Sequence, residues 1–283
     1  MNHRLLLIVP LALSVSAATS LQAQRHGRHR DSNHDGNWLD RCRNNDGDGN
    51  RARFCEERAM GWPSSAGSNL VVDASPNGGV AVTGWDRDSI DVIVRIQTQA
   101  GSDEDARQLA QQIRISNDHG TISADGPSIR GRTSWSVSFE IRAPKRTNLN
   151  LTTINGPLAV EEVSGTIRLR AENGPITLDR LGGDVSAHAQ NGPLRVELTG
   201  ARWDGAGLDA STQNGPLVVD VPEGYNANFE TGTVNGPMEL GFPIMVQGRI
   251  GAGSNRRIRA TLGSGGPSVR VVTTNGPAII RRS

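Results

Sequence analysis

The chain has 283 residues, of which 34 are Gly and 14 are Pro, while aromatic residues make up only 4%. Gly and Pro together account for 48 of 283 residues, an excess over the usual share of about 12% that predicts many short strands and turns and excludes a coiled coil. Thirty basic and 29 acidic residues leave a formal net charge of +1, so charge gives no support for binding nucleic acid or an anionic membrane.

The first 23 residues have the organisation of a secretory signal peptide. Arg4 precedes an apolar run over residues 5–15, and small residues follow before Ala23. We expect cleavage after Ala23, with Ala18 as the alternative site. Because the run is shorter than the ~18 residues that span a bilayer, a cleaved signal is favoured over a retained anchor, and no later segment is apolar enough to cross a membrane. The sequence therefore predicts export to the periplasm, the cell surface or the extracellular medium.

Export makes the two cysteines informative, because oxidising compartments favour disulfides. Cys42 and Cys55 would close a 14-residue loop, counting both ends, and the loop-entropy model assigns such a bridge about 3 kcal/mol of stabilisation. We predict that they pair with each other. Two free thiols or an intermolecular bridge are the alternatives.

Residues 24–66 are predicted to form a polar leader tied by this disulfide, because they contain few apolar residues with which to build a core. Two stretches rich in Asn, Asp and Gly match the first six positions of a calcium loop, in which alternating oxygen side chains face the ion. The twelfth position of each, where a Glu ligand is required, holds Cys42 or Cys55 instead. We therefore predict no metal and no cofactor, with Asp46 and Asp48 as the calcium candidates if the leader does bind the ion.

Residues 67–148 are predicted to form a small β-rich unit with one helix. Apolar and polar residues alternate with period two in four segments, which is typical of strands with one buried face. Between the first two segments, Asn77 and two glycines predict a turn. A helix follows the N-cap Ser102, with acidic residues in its first turn and an apolar stripe that ends at Ile113. The predicted strands are Leu70–Val72, Val80–Val82, Ile90–Ile96 and Trp135–Ile141.

Residues 149–283 contain a repeat. The triplet Asn-Gly-Pro occurs six times, with spacings of 18, 18, 23, 21 and 40 residues. A period near 20 that tolerates insertions is typical of a solenoid whose turns stack on one another. Short glycine-containing segments, such as residues 163–166 and 181–184, predict a second corner in each turn. The corner asparagines are Asn155, Asn173, Asn191, Asn214, Asn235 and Asn275.

Side-chain parity supports this interpretation. The residues two, four and six places before each Asn are apolar or small, so that face of the arriving strand is predicted to point inward. After each triplet the apolar residues lie three and five places on, which predicts a corner. We expect Gly to allow unusual backbone angles there, Pro to fix the exit, and stacked Asn side chains to form an amide ladder. A parallel solenoid is favoured over an antiparallel meander, because Pro after Gly would remove a hydrogen-bond donor from a return strand.

These motifs together resemble the bacterial putative adhesin domain, a family of secreted β-solenoid proteins of unknown function. The resemblance covers residues 40–280 and rests on the segments Ser75–Val80 and Ser136–Pro144, the helix near Asp105 and the Asn-Gly repeats. It implies a location in the cell envelope and carries over no catalytic residues. Residue pattern and resemblance predict an all-β fold, a parallel β-solenoid (β-helix-like) preceded by the small β-rich unit with its helix.

Catalytic motifs are missing from the sequence. It has no metalloprotease, nucleophile-elbow or phosphate-binding motif. A polysaccharide-cleaving β-helix enzyme would need neighbouring acidic residues on one face. We expect the acidic residues of the repeat to lie at different positions relative to their triplets, so that no stacked acidic row forms and the protein is not an enzyme. These residues are Glu161, Glu162, Asp179, Asp184 and Glu197.

The leading functional hypothesis is an adhesin-like interaction module whose regular surface contacts a protein, a glycan or another envelope component. The alternative is a self-assembling structural or scaffold protein of the cell envelope, in which the C-terminal turn with Arg281 and Arg282 leaves an open edge that pairs with a second copy in a homo-oligomer. A polysaccharide-acting β-helix enzyme is the least favoured hypothesis. Nucleic acid is not expected as a partner.

Overall fold

The structure is a computed structural model that describes residues 38–44, 51–128, 131, 133–243 and 256–283. The predicted signal peptide, with its alternative cleavage sites, and the calcium candidates Asp46 and Asp48 lie outside these ranges. Within them, no helix is both long enough and apolar enough to cross a membrane.

The described chain consists of β-strands and two short helices. Buried and exposed side chains alternate along the strands, as expected when one face of a sheet packs on a core. The elements are α1 (Trp38–Asn44), β1 (Ala52–Pro63), β2 (Asn69–Asp73), β3 (Val80–Trp85), β4 (Ser89–Ala100), α2 (Asp103–Gln111), β5 (Arg114–Asp118), β6 (Thr121–Asp125), β7 (Ser134–Pro144), β8 (Asn148–Asn155), β9 (Leu158–Glu161), β10 (Ser164–Asn173), β11 (Ile176–Asp179), β12 (Gly182–Asn191), β13 (Leu194–Glu197), β14 (Gly207–Asn214), β15 (Leu217–Val221), β16 (Ala227–Asn235), β17 (Met238–Leu240), β18 (Arg256–Leu262), β19 (Ser268–Asn275) and β20 (Ala278–Arg282).

The strands form two ten-stranded sheets. The first sheet has the order β1-β4-β7-β3-β9-β11-β13-β15-β20-β17, and the second has the order β18-β16-β19-β14-β12-β10-β8-β2-β6-β5. Antiparallel pairs occur between β1 and β4, β4 and β7, β5 and β6, and β16 and β18, and the other neighbours are parallel. Buried apolar side chains of both sheets make one continuous core. The all-β prediction is confirmed, in sheets of mixed strand direction.

The repeat crosses from one sheet to the other at each Asn-Gly-Pro triplet. A strand of the second sheet arrives at the triplet, and the strand that follows it lies in the first sheet. A second corner then returns the chain to the second sheet, as between β9 and β10. We call each strand-triplet-strand unit a layer. In chain order these are layer 1 (148–161), layer 2 (164–179), layer 3 (182–197), layer 4 (207–221), layer 5 (227–240) and layer 6 (268–282).

Adjacent layers are parallel and in register, so that corner Asn residues pair with corner Asn residues, as Asn173 does with Asn155 and Asn191. Every residue that parity places inward before a triplet is buried. After the triplets the prediction holds in every layer except layer 5, where Met238 is half-buried and Leu240 is 38% exposed. These two residues are exceptions because β17 is an edge strand of the first sheet.

The four strands and the helix predicted within residues 67–148 are present. The Oγ of Ser102 caps α2 by accepting a hydrogen bond from the Asp105 N–H at 3.2 Å. β2 and β3 do not pair with each other, because they lie in different sheets, where β2 pairs with β8 and β3 with β9. The turn at Asn77 is therefore a corner between the sheets, and strands on both sides of residue 148 belong to the same two sheets.

The strand β1 and the helix α1 lie in the predicted leader and were not predicted from its composition. β1 pairs with β4 along its whole length. It forms although it is polar, because an edge strand takes its hydrogen bonds from one neighbour and needs only one apolar face. The predicted disulfide between Cys42 and Cys55 is confirmed, with both residues buried and their Cα atoms 6.3 Å apart.

Layer 6 does not lie at the end of the stack. β19 lies between β14 and β16, and β20 lies between β15 and β17, so layer 6 is inserted between layers 4 and 5. The chain reaches this position through β18, which pairs with the opposite edge of β16. The expectation that the C-terminal turn with Arg281 and Arg282 leaves an open edge is wrong, because β20 is paired on both sides. Among the described strands, β17 and β18 are the edges at this end.

Candidate functional site

An amide ladder runs along the corner at which the two sheets meet. The side-chain Nδ2 of each corner Asn donates to Oδ1 of the Asn in the neighbouring layer, at distances of 2.7–3.1 Å. Sequence analysis missed the first member of the ladder, because its motif Asn-Gly-Gly lacks the Pro. In space the ladder passes through Asn77, Asn155, Asn173, Asn191, Asn214, Asn275 and Asn235.

The triplet glycines are required because the backbones of adjacent layers approach closely. The expectation of unusual backbone angles is wrong for Gly174, Gly192 and Gly215, none of which has a positive φ. A Cβ on Gly192 would come closer than 3.0 Å to the carbonyl oxygen of Gly174, a separation that real Cβ atoms essentially never show. The stack therefore excludes any side chain at this position.

Buried threonines complete the corner on its inner side. The Oγ1 atoms of Thr153, Thr212 and Thr273 donate to glycine carbonyls of the neighbouring layer at 2.7, 2.8 and 2.9 Å. The backbone is paired as well, since the N–H of Gly192 donates to the carbonyl of Asn214 at 2.9 Å. Because these polar groups have partners, the corner holds one fixed register from layer to layer.

We expect Asn191→Ala to lower the free energy of unfolding by about 1–2 kcal/mol, because it removes one donated and one accepted hydrogen bond. Asn191 donates to Asn173 at 3.0 Å and accepts from Asn214 at 2.8 Å. Urea denaturation measures the change. The control is Gln190→Ala, which truncates an exposed neighbour outside the ladder and should cost less than about 0.5 kcal/mol. Equal losses in both variants would contradict a stabilising ladder.

Four carboxylates form a row on the outer face of the first sheet. Each lies six residues after its corner Asn, and the strand register pairs Glu161 with Asp179, Asp179 with Glu197, and Glu197 with Asp220. Adjacent strands of a sheet are ~4.8 Å apart, which sets the period of this carboxylate row. The expectation that no stacked acidic row forms is wrong. The sequence contains this common offset of six residues, but two other acidic residues of the repeat, Glu162 and Asp184, lie at different offsets and obscure it.

At one end of the carboxylate row, a single guanidinium contacts three carboxylates. Arg180 lies 3.0 Å from Asp179 and 3.2 Å from Glu162, and it also pairs with Glu161. Burial raises the pKa of Asp179, the two glutamates add to the rise, and Arg180 opposes it. The Oδ1 of Asp179 is buried without a hydrogen-bond partner in the described part of the chain. Asp179 therefore takes up a proton at a higher pH than an ordinary aspartate.

At the other end of the row, Asp220 is 8% exposed and lies between two arginines, with Arg195 at 2.7 Å and Arg281 at 2.8 Å. Glu197 lies between the two charged clusters and forms no ion pair with any residue that the structure describes. It is half-buried, so its carboxylate remains accessible from the surface. Glu197 is therefore the member of the row best placed to contact a ligand.

A groove with a volume of about 540 Å³ lies elsewhere, at the second corner. No member of the carboxylate row lines it. Within the described ranges, no group of three or more His, Cys, Asp or Glu residues is arranged to hold a metal ion. The groove is lined by Ala66, Gly67, Arg146, Asn148, Ser164, Gly165, Gly183 and Asp204.

The outer face of the second sheet carries charges that pair with one another. Arg168 lies 2.7 Å from Asp184, and its hydrogen bond lowers the pKa of that carboxyl. Further along, Arg270 lies 2.6 Å from Asp209 and 3.6 Å from Glu230. Asp184, Asp209 and Glu230 therefore have arginine partners within this face.

No family model matches the chain, and no curated protein matches it in sequence. It is similar to several solved structures. One is a putative cell adhesion protein from Clostridium sporogenes ATCC 15579, with 10% identity and a TM-score of 0.44 over 81% of this chain and 100% of that one. A putative adhesin from Bacteroides fragilis NCTC 9343 has 11% identity and a TM-score of 0.35, over 81% and 97% of the two chains. A putative adhesin from Parabacteroides distasonis ATCC 8503 has 8% identity and a TM-score of 0.30, over 80% and 97%.

Proposed function

We propose that the protein is an exported, non-enzymatic interaction module of the adhesin type, in which layers 1–6 form a parallel β-solenoid. The observation that carries the proposal is the common register of the layers, which turns each outward position into a straight row with a period of ~4.8 Å. A rigid periodic surface suits a partner that is itself periodic, such as a polymer of the cell envelope. The disulfide supports export, because such bonds persist in oxidising compartments.

On this proposal the chain has four parts. Residues 1–23 are a signal peptide, and residues 24–66 are a leader in which the disulfide joins α1 to β1 and β1 pairs with β4 at the edge of the first sheet. Residues 67–148 begin the stack and supply the first corner, at Asn77. Residues 149–283 extend the stack and carry the contact surface.

The carboxylate row is the contact surface that we propose. Its members Glu161 and Glu197 lie on an open face, and carboxylates accept hydrogen bonds from hydroxyl or ammonium groups. Nucleic acid is disfavoured as a partner, because its phosphates would be repelled by this row. A glycan or a protein with regularly spaced donors fits the row best.

A glycan array and immobilised cell-envelope polysaccharide test this proposal with two matched variants. The row variant is Glu161→Gln with Glu197→Gln. The control is Glu104→Gln with Glu172→Gln, which makes the same change in net charge at exposed positions outside the row. We expect the row variant to bind about ten-fold more weakly, since it weakens two charge-assisted hydrogen bonds, and the control to bind as the unmodified protein does. Equal binding by all three proteins would reject the row as the contact surface.

A polysaccharide-cleaving activity is the second candidate, because the row exists and contains a carboxyl with a raised pKa. Glycosidases need two carboxyls between ~5 and ~9.5 Å apart, one of them protonated. Asp179, whose pKa is raised, is in register with Glu197 on the adjacent strand, at a strand spacing of ~4.8 Å. The discriminating measurement is release of reducing ends from any bound glycan. Cleavage that Asp179→Asn abolishes would favour the enzyme over the interaction module.

A further inference from the structure

The position of layer 6 raises the question of what places it between layers 4 and 5. Each layer carries its own Asn-Gly-Pro triplet, and in layer 5 Asn235 bonds to Asn275 much as Asn275 bonds to Asn214. The corner would therefore accept layer 5 directly on layer 4. Layer 5 also precedes layer 6 in the chain, so it is synthesised first and meets layer 4 first.

Charge distinguishes the two orders on the second sheet. In the observed order Arg270 is in register with Asp209 on one side and Glu230 on the other, and it contacts both, at 2.6 and 3.6 Å. Stacking in chain order would place Asp209 directly beside Glu230. Like charges opposite each other on adjacent strands destabilise a sheet, and opposite charges stabilise it.

The first sheet favours the same order. Arg281 of layer 6 is in register with Asp220 of layer 4 and donates two hydrogen bonds to it, at 2.8 and 3.1 Å. Stacking in chain order would place Gly241 opposite Asp220, and this bidentate pair would be lost. Arg282 adds a contact with Glu223 at 3.0 Å.

We propose that the last two layers have two alternative orders, and that Arg270 and Arg281 select the one in which layer 6 is inserted between layers 4 and 5. The insertion is thus a conformational device built into the repeat. The Asn-Gly-Pro corner allows either layer 5 or layer 6 to stack on layer 4, and the charges determine which of the two does so.

Cysteine pairs in the full chain report which order is present. Val218 and Ile279 are outward neighbours in the observed order, and Ile279 in turn neighbours Glu239. In that order Val218 and Glu239 are two strand spacings apart, ~9.6 Å, which is beyond the ~7 Å limit for a disulfide. The pair Val218→Cys with Ile279→Cys therefore crosslinks only in the observed order, and the pair Val218→Cys with Glu239→Cys only in the chain order. Peptide mass spectrometry separates either bond from the native disulfide.

The test is to exchange the charges of Glu230 and Arg270 in both cysteine backgrounds. In the variant Glu230→Arg with Arg270→Glu, the observed order places a glutamate beside Asp209. The chain order places an arginine there, so only the chain order gives Asp209 a neighbour of opposite charge. We expect the protein with native charges to form mainly the 218–279 bond, and the ratio of 218–239 to 218–279 crosslinks to rise about five-fold in the protein with exchanged charges. An unchanged ratio would overturn the proposal.

Two further variants keep the test decisive. The matched control exchanges Arg168 and Asp184, an ion pair between layers 2 and 3, and should leave the crosslink ratio as it is. If the exchanged protein does not fold by circular dichroism, the milder Arg270→Gln should raise the ratio in the same direction. A ratio unchanged in Arg270→Gln, or an equal rise in the control, would refute selection by charge.

Discussion

Replacing Gly192 by Ala is expected to cost about 4 kcal/mol of unfolding free energy or to prevent folding, a large effect for one methyl group. The new Cβ would overlap the carbonyl oxygen of Gly174. That oxygen is backbone, and the adjacent backbone is held by the hydrogen bond from the Gly174 N–H to the carbonyl of Asn191 at 2.9 Å. Because the layers are in register, one cannot shift without disturbing its neighbours. Urea denaturation and the yield of folded protein measure the effect.

The control for this prediction is Gly101→Ala. Gly101 lies before α2, and a Cβ built there meets no atom within 4 Å. We expect a change of less than about 1 kcal/mol, since only the freedom of the unfolded chain is altered. If the two variants lose the same stability, close approach of the layers is not the reason for glycine in the triplet.

Ionisation of Tyr225 is expected to destabilise the folded protein in alkali. Burial raises the pKa of Tyr225 to about 12, from an ordinary value of 10.0. Between those two values the unfolded chain releases the phenolic proton and the folded chain keeps it. The contribution of Tyr225 to the free energy of unfolding is therefore fully present below pH 10. It falls by about 2–3 kcal/mol as the pH rises to about 12. Tyr225 is the single tyrosine of the chain, so tyrosinate absorbance in the ultraviolet reports this group alone.

The matched variant is Tyr225→Phe. The Tyr225 hydroxyl is buried without a hydrogen-bond partner among the described residues, so its removal should raise stability at neutral pH by about 1 kcal/mol. The variant should also lose less stability between pH 10 and 12 than the unmodified protein does. A tyrosinate signal that develops near pH 10 in the folded protein would show that the ring is accessible to water and would contradict both expectations.

The inward and outward faces of the layers could be predicted from the sequence because each triplet fixes the parity of the strands around it. Leu169 and Val185 are examples, as each lies an even number of residues before its Asn, and each is buried. The carboxylate row was predictable by the same arithmetic, since Glu161 and Asp179 share one offset from their triplets. The pattern is obscured in the sequence because Glu162 and Asp184 lie at other offsets from their triplets.

Other features depend on contacts that no local pattern contains. The insertion of layer 6 rests on pairs such as Arg270 with Asp209, which are 61 residues apart in the chain. The edge strand β1 forms on hydrogen bonds from β4, and its own residues are too polar to indicate a core strand. Asn77 belongs to the ladder through its bond to Asn155, although its corner has no Pro.

The amide ladder also determines where the chain can accept inserted residues. From Asn191 to Asn214 the chain is five residues longer than the 18-residue repeat that precedes it, yet the bond between the two side chains is 2.8 Å, as short as its neighbours. The extra residues lie between β13 and β14, at the second corner. One edge of the molecule thus keeps a constant length from layer to layer, whereas the opposite edge can lengthen by whole loops at no cost to the strand register. New binding loops would arise there during divergence, and a peptide inserted at the exposed Gly200, away from the buried Trp203, would be displayed on an unaltered scaffold.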